Sequence, residues 1–275
     1  MIHQFKLQNL DETLTSSLGL PTTQLGNVWA ISDEGLTEVF DQALNPYQAA
    51  EPPAPLATSP MISEEFRTAV VPVRGTISPF SMWGDRTNPF ELAKTCDRLA
   101  ASPDIDRVIF SISSPGGHVV GVPEAVDACE RLGKVKKTIS YTSTLQASAA
   151  QWFASSCSEN YASPSSLVGS IGVFVAIYDF SAYLAKAGVK LHLFRDGEFK
   201  ALGLPGKELT EAEQKHIDAG VQKISKLFKG YTRAHHPGIK DDAMQGHTMT
   251  GEEGVAAKLI DATCGSLAEL IGRLN

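Results

Sequence analysis

The chain has 275 residues, of which 43% are hydrophobic and 20% are charged, and its formal net charge is −7. This length suffices for one sizeable α/β domain with an appendage, and the composition is ordinary for a soluble globular protein. The acidic balance, with no dense basic run, argues against a nucleic-acid-binding face, and no nucleic-acid partner is expected. The four cysteines form no Cys-x-x-Cys pair. We interpret them as scattered reduced thiols, and expect neither a metal site nor a cofactor.

The beginning of the sequence is polar and lacks the apolar core of a signal peptide. No run of the chain approaches the roughly 18 apolar residues that a membrane-spanning helix requires. We therefore expect no membrane span, and a location in a cytoplasm or in a particle assembled there, such as a phage procapsid.

Three regions are predicted along the chain. Residues 1–45 form a small helical preface, because Ser32–Leu44 has a cap-like start followed by apolar residues at helical spacing. Residues 46–65 are rich in proline and alanine, which is typical of a linker or an extended strap. Residues 66–275 form the main domain.

The main domain alternates between strand and helix patterns, which predicts parallel strands with helices covering the sheet. The predicted strands are Thr68–Gly75, Val108–Ile112, Thr138–Tyr141, Gly172–Tyr178 and Lys190–Phe194. The predicted helices are Pro89–Ala101, a helix ending near Arg131, Thr210–His235, and two short helices opened by Thr250 and Ser266. The fold class is therefore α/β.

Ser148 is the candidate nucleophile. It lies among small residues between a predicted strand and a predicted helix, where a nucleophilic serine can present an exposed hydroxyl. A helix-capping role is the alternative for any single serine. Ala149 and its small neighbours leave room for a substrate carbonyl, and the backbone N–H of Ala149 is a candidate donor to it.

Gly116 and Gly117 follow a predicted buried strand. Proline and glycine are also the ordinary residues of turns, so Ser-Pro-Gly-Gly is compatible with a turn alone. In the functional interpretation, the glycines let backbone N–H groups approach a substrate oxygen and form an oxyanion hole.

Lys200 is the candidate general base. A serine hydroxyl needs a positioned base, and no histidine occurs between Ala149 and Lys190. A lysine acts as a base only when it has lost its proton, which burial among apolar groups such as Phe199 and Leu202 favours. Ser170 is compatible with a turn serine, or with a group that holds the lysine amine in line. The pair is interpreted as a serine–lysine dyad of a protease.

Four segments occur in the order seen in signal peptide peptidase A and in the phage head maturation proteases called protein C, and the chain resembles this family over about residues 66–272. They are Ala147–Ala149, Gly169–Val173, Asp196–Lys200 and Thr250–Asp261. The resemblance implies a Clp protease/crotonase-like fold, Ser148 as nucleophile, Lys200 as general base, Ser170 as a contact of the lysine, and Gly116 with Ala149 as oxyanion donors.

The family often has Ser-Gly-Gly or Ser-Ala-Gly at the nucleophile, and the sequence departs from both patterns with Ser148, Ala149 and Ala150. The segment around Trp29 is more similar to the phage branch. The favoured function is thus a phage or prophage head maturation endopeptidase that acts on capsid, scaffold or portal proteins.

Three alternatives remain open at this stage. They are a cytoplasmic peptidase of the same mechanism that degrades signal peptides, a crotonase-like acyl-CoA enzyme, and a catalytically inactive capsid component. The resemblance also implies a homo-oligomer, a closed ring or dome with Ser148 facing an inner chamber, in which the strap near residues 45–62 crosses a neighbour or stays mobile.

Overall fold

The computed structural model describes residues 29–31, 60–80 and 86–275. The predicted helix Ser32–Leu44 and most of the predicted linker lie outside these residues. The strands are β1 (Trp29–Ile31), β2 (Met61–Ser63), β3 (Thr68–Arg74), β4 (Thr76–Ile77), β5 (Arg86–Thr87), β6 (Arg107–Ser114), β7 (Gly116–His118), β8 (Lys137–Ala147), β9 (Glu159–Ala162), β10 (Leu167–Gly169), β11 (Thr248–Thr250) and β12 (Ala262–Thr263). The α-helices are α1 (Pro89–Ala101), α2 (Val122–Gly133), α3 (Ala149–Ala154), α4 (Ser181–Lys186), α5 (Glu211–His235), α6 (Gly251–Ala256) and α7 (Leu267–Arg273).

The main sheet runs in the order β11-β10-β8-β6-β3-β2, and β9 joins it by pairing with both β8 and β12. The pairs among β3, β6, β8, β9, β10 and β12 are parallel, whereas β2 and β11 pair antiparallel at the two ends. The α/β class with parallel strands that was predicted from the sequence is confirmed. The sheet also begins earlier than predicted, since β2 lies in the segment assigned to the linker.

Helices cover both faces of this sheet because neighbouring residues of a strand point to opposite sides. In β3, Val71 and Val73 belong to the large core under α1, α2 and α3, whereas Val70 belongs to a smaller core that includes Leu270 of α7. Trp152 of α3 stacks on Phe228 of α5, with ring centroids 4.7 Å apart. This stacking fixes α3 between the sheet and the long helix.

A second, smaller sheet lies beside the main one, in the order β1-β7-β4-β5. β1 pairs antiparallel with β7, and β4 pairs parallel with both β7 and β5. β7 follows β6 after a single residue, Pro115. The turn predicted at Ser-Pro-Gly-Gly therefore leads directly into a strand.

Two of the predicted strands are wrong. Gly172–Tyr178 contains a single bridge residue, and Lys190–Phe194 has no strand hydrogen bonding. Every residue from 185 to 200 is exposed, including Leu191, Leu193 and Phe194. We call residues 185–200 the arm. The apolar pattern of the arm is that of a strand, but a strand forms only by pairing with a neighbouring edge, and the arm pairs with none of the described strands.

The cysteines are also less scattered than the sequence indicated. All four are buried free thiols, and the Sγ atoms of Cys129 and Cys157 lie 3.9 Å apart in the main core. Cys96 of α1 lies next to Cys129. α1, α2 and the residues after α3 bring these three together through packing that sequence spacing does not reveal.

Candidate active site

The candidate site lies at the edge of the main sheet where the carboxyl ends of β6, β8 and β10 meet. Ser114 at the end of β6 is paired with Gln146, and Gly169 at the end of β10 is paired with Ala147. Gly116 lies two residues after Ser114 along the chain. Ser148 lies two residues after Gln146 and directly follows Ala147. Ligands of parallel α/β sheets bind outside this edge, which places three sequence-predicted residues, Gly116, Ser148 and Ser170, in one region.

Ser148 occupies a sharp turn between β8 and α3. Its backbone has φ 56° and ψ −117°, a conformation that non-glycine residues rarely adopt. The turn is held on both sides, because the Ser148 N–H donates to the Gly169 carbonyl at 2.8 Å and the Trp152 N–H donates to the Ser148 carbonyl at 2.8 Å. A strained strand-to-helix turn of this kind carries the nucleophile of many hydrolases.

The Ser148 hydroxyl is closed off in the single chain. The residue is 1% exposed, and its Oγ lies 3.5 Å from the Gly172 carbonyl, at the outer limit of a hydrogen bond. The expectation of an exposed hydroxyl is therefore wrong. The chain that leaves β10 passes next to the hydroxyl, so a substrate reaches it only after some segment has moved.

The candidate oxyanion donors lie on both sides of the site. Ala149 is the first residue of α3, and α3 contacts β7, which begins with Gly116. The Gly116 N–H donates to Ser114 Oγ at 3.2 Å, and Ser114 Oγ donates to the Gly75 carbonyl at 2.7 Å. Ser114 was missed from the sequence. Its position two residues before a glycine is typical of a serine that bonds the local backbone.

Gly117 is required by packing. A Cβ atom at this position would lie 2.1 Å from the carbonyl oxygen of Ile77 in β4. The glycine therefore permits the close approach of β4 and β7, and its identity says nothing by itself about an oxyanion hole.

His118 brings an imidazole next to these glycines. It is 3% exposed, and its ring packs edge-on against Phe80 with centroids 5.3 Å apart. Burial lowers the pKa of His118 to about 4, so the ring is neutral at neutral pH.

Ser170 lies beside Ser148 at the end of the neighbouring strand. It is 5% exposed and also has a positive φ, of 50°, and its N–H donates to the His247 carbonyl at 2.8 Å. The structure thus brings Ser170 close to the candidate nucleophile, as its sequence position implied. The proposed contact between Ser170 and Lys200 is not formed in the single chain, because Lys200 is exposed at the end of the arm.

Lys200 is exposed at the end of the arm, and its expected burial beside Ser148 is wrong for the single chain. None of the hydrogen bonds in the described part of the chain joins it to Ser148 or Ser170. Its N–H donates to the Gly197 carbonyl at 3.3 Å, and its carbonyl accepts from Arg195 Nη1 at 3.3 Å. Of its predicted apolar neighbours, Leu202 is 4% exposed, whereas Phe199 is 40% exposed and stacks on His216.

An ion-pair cluster anchors the turn that carries Lys200. Arg195 Nη1 also donates to Glu213 at 3.1 Å, and Lys207 Nζ donates to the same carboxylate at 2.5 Å. Glu213 closes the capping box of α5 by accepting from the Thr210 N–H. Lys207, the Thr210 N–H and Arg195 lower the pKa of the buried Glu213 carboxyl to about 2. The turn is thereby fixed to the first turn of α5.

The described residues contain no group of three or more His, Cys, Asp or Glu side chains that is placed to hold a metal ion. None of the helices in residues 60–80 and 86–275 is both long and apolar enough to cross a membrane.

The chain is similar in sequence to a known peptidase family and to two phage proteins. Residues 130–274 match the model of peptidase family S49. This range contains Ser148, Ser170 and Lys200, and begins after Gly116. The chain is 30% identical over 208 residues to the head-tail preconnector protein GP5 of Enterobacteria phage P21, covering 70% of this chain and 40% of that protein. It is 27% identical over 201 residues to the capsid assembly protease C of Escherichia phage lambda, covering 70% and 45%.

Among solved structures, a mutant of the 1510-N membrane-bound stomatin-specific protease matches with a TM-score of 0.48 and 14% identity, over 73% of this chain and 81% of that one. The chain spans less than half the length of the two phage relatives named above.

Proposed function

Because the chain belongs to peptidase family S49, we propose that it is a serine endopeptidase in which Ser148 is the nucleophile and Lys200 the general base. The observation that carries this proposal is the strained turn at Ser148, which the backbone holds between β8 and α3 at the carboxyl edge of the sheet. Backbone strain at a buried polar residue persists where the surrounding structure enforces it, and such residues cluster at active sites.

In the proposed reaction, Ser148 Oγ attacks the carbonyl carbon of a peptide bond while the neutral Lys200 amine accepts the hydroxyl proton. The backbone N–H groups of Ala149 and Gly116 stabilise the oxyanion, which requires Gly116 to exchange Ser114 Oγ for the substrate oxygen. The lysine returns the proton to the leaving amine, and an acyl-enzyme remains on Ser148. A water molecule, deprotonated by the same lysine, then attacks the ester carbonyl, and the lysine returns that proton to Ser148 Oγ as the acyl group leaves.

The dyad is incomplete in the isolated chain, so the mechanism also needs a movement of Lys200. The Lys200 amine has to leave solvent and replace the Gly172 carbonyl as the partner of the Ser148 hydroxyl. An amine that becomes desolvated in this way accepts a proton more readily at neutral pH. A neighbouring copy of the chain or a rearrangement of the arm would supply that environment.

The proposed substrates are proteins of an assembling phage capsid. This part of the proposal is supported by the names of the two phage relatives, a capsid assembly protease and a head-tail preconnector protein. Degradation of signal peptides by the same dyad is the alternative. Co-expression with phage capsid and scaffold proteins, together with an assay on a synthetic signal peptide, distinguishes them: the capsid proposal expects truncated capsid or scaffold protein, whereas degradation of the signal peptide alone favours the alternative.

The dyad is tested with the purified full chain and labelled casein. Ser148→Ala and Lys200→Arg are each expected to lower hydrolysis by at least about a thousandfold, the first by removing the nucleophile and the second because arginine stays protonated. Ser165→Ala and Lys190→Arg are matched controls, since both residues are exposed and Lys190 lies on the arm.

Covalent labelling of Ser148 by a fluorophosphonate, followed by mass spectrometry, reports the nucleophile directly. Wild-type rates in either dyad variant would exclude the proposed mechanism. Absence of both hydrolysis and labelling in the wild type would instead favour the inactive capsid component or an acyl-CoA enzyme.

A further inference from the structure

The β1 strand occupies an edge of β7 that would otherwise be open. β7 has two edges, and β4 takes one of them through the pairing of Ile77 with Gly117. Trp29–Ile31 takes the other in an antiparallel register, in which Trp29 is opposite His118 and Ile31 is opposite Gly116. Every strand position of β7 is therefore already paired within the chain.

The same strand borders the candidate active site. Gly116 opens β7, and α3, which begins directly after Ser148, contacts β7. β7 cannot shift to make room for a second strand, because Gly117 already lies against the backbone of Ile77 with no space for even a Cβ atom. An extended chain that approaches Ser148 along β7 must therefore use the edge that Trp29–Ile31 now holds.

We propose that the outer edge of β7 is the acceptor edge for an extended polypeptide substrate, and that Trp29–Ile31 is a built-in competitor which the substrate displaces. The proposal rests on the proposed peptidase function and deepens it. Strand addition recognises main-chain groups, so the partner class is an unfolded or extended polypeptide of little sequence restriction. β1 consists of three residues, and such a short pairing is weak enough for a longer strand to replace.

The proposal is tested with proline substitutions that weaken β1. Neighbouring positions of an antiparallel pair alternate between bonded and unbonded. At least one of Ala30→Pro and Ile31→Pro therefore removes a ladder hydrogen bond. Ala30→Val and Ile31→Val are the matched controls, because valine keeps the amide and is compatible with a strand. All four are made in the full chain with Ser148→Ala, and thermal melting confirms that each one is folded.

The first measurement is hydrogen exchange at the amides of β7, together with binding of a fluorescein-labelled peptide with the sequence of residues 27–33. The expected result is faster exchange, in at least one proline variant, at whichever one of the neighbouring amides of Gly117 and His118 points to β1, and roughly tenfold tighter peptide binding if β1 covers the edge about nine-tenths of the time. Fast exchange with unchanged affinity would overturn the proposal. Slow exchange in both proline variants would overturn it as well, since β1 would then not hold the edge.

The second measurement uses the same substitutions with Ser148 intact and follows the hydrolysis of labelled casein. We expect a higher kcat/KM in the proline variant that frees β7, and stronger inhibition of that variant by the added peptide. Hydrolysis by the wild type without any gain in that variant would overturn the competitor role while leaving the peptidase function standing. Tighter peptide binding without hydrolysis by any variant would overturn the peptidase function and leave β7 as a peptide-binding edge.

Discussion

Ser148 is held in an unfavourable backbone conformation by the residues around it. Its positive φ is unfavourable for any side chain that carries a Cβ atom, yet two backbone hydrogen bonds hold it there. A helix-capping serine does not need this conformation, and the Ser148 side chain makes no cap hydrogen bond. The capping alternative that the sequence left open is therefore not supported.

A stability measurement can detect this strain. Because glycine adopts a positive φ freely, Ser148→Gly is expected to be about 1 kcal/mol more stable than Ser148→Ala in urea unfolding, although neither carries the proposed nucleophile. Ser140 of β8 is the control, since it is buried in an ordinary strand. There the glycine variant should be the less stable of the two by about 0.5 to 1 kcal/mol. An alanine variant more stable than the glycine variant at both positions would show that Ser148 is unstrained.

At the scale of elements, local signals predicted helices better than strands. The helix Pro89–Ala101 was predicted to the residue, since Asn88 caps it and a proline occupies its first position. The helix α5 begins within one residue of its prediction because Thr210 and Glu213 form the capping box that the sequence indicated. These signals are contained within a few residues, so sequence suffices to recognise them.

Features that depend on a distant partner could not be predicted in this way. Gly172–Tyr178 and Lys190–Phe194 have strand-like patterns, but pairing depends on an edge supplied from elsewhere. The exposure of Lys200 in the single chain was not predicted either, whereas Ser148, Ser170 and Gly116 came together because each follows a paired strand. Pairing of Trp29–Ile31 with β7 was also invisible, since three residues carry no pattern.

The cluster around Glu213 yields a prediction at this scale. Glu213→Gln removes the charge that binds Lys207 and Arg195, and should lower the free energy of unfolding by about 2 kcal/mol at neutral pH. Because Arg195 also holds the Lys200 carbonyl, hydrolysis should fall as the turn loosens. Glu211→Gln, in the same helical turn but exposed, is the control: it should change the free energy of unfolding by no more than about 0.5 kcal/mol and leave the rate of hydrolysis unchanged.

The contribution of the Glu213 carboxylate to stability is expected to decrease as the pH falls. The folded pKa of Glu213 is lowered to about 2, below its ordinary value. Its contribution is therefore complete above about pH 4.5 and is lost as the pH falls towards 2. Glu213→Gln should remove this part of the acid destabilisation, and identical acid unfolding of the variant and the wild type would contradict the assignment.

At the scale of the whole molecule, the arm carries several apolar side chains that the single chain leaves uncovered. Phe194 is 94% exposed, and Leu191 and Leu193 are 45% and 36% exposed. Neighbouring exposed apolar side chains of this kind mark a candidate interface. We propose that a second copy of the chain covers the arm, and that Lys200 at its end approaches the Ser148 of that copy.

Mixing two variants that are each expected to be inactive tests this arrangement. Ser148→Ala supplies an intact lysine and Lys200→Arg an intact serine, so sites assembled between copies should regain activity. With random assembly of an equal mixture, about one site in four contains both residues, and casein hydrolysis should approach a quarter of the wild-type rate. No recovery after mixing, with each variant shown by light scattering to be an oligomer, would place the lysine and the serine of a working site in the same chain.

A dyad shared between copies would make activity depend on the concentration of the protein. Newly made chains at low abundance would fold with Ser148 shielded and Lys200 in water, and would cut nothing. Hydrolysis would then rise more steeply than in proportion to the amount of protein, because each working site requires an encounter between two chains. The onset of proteolysis would be set by accumulation at the place of assembly, with no need for a separate inhibitor.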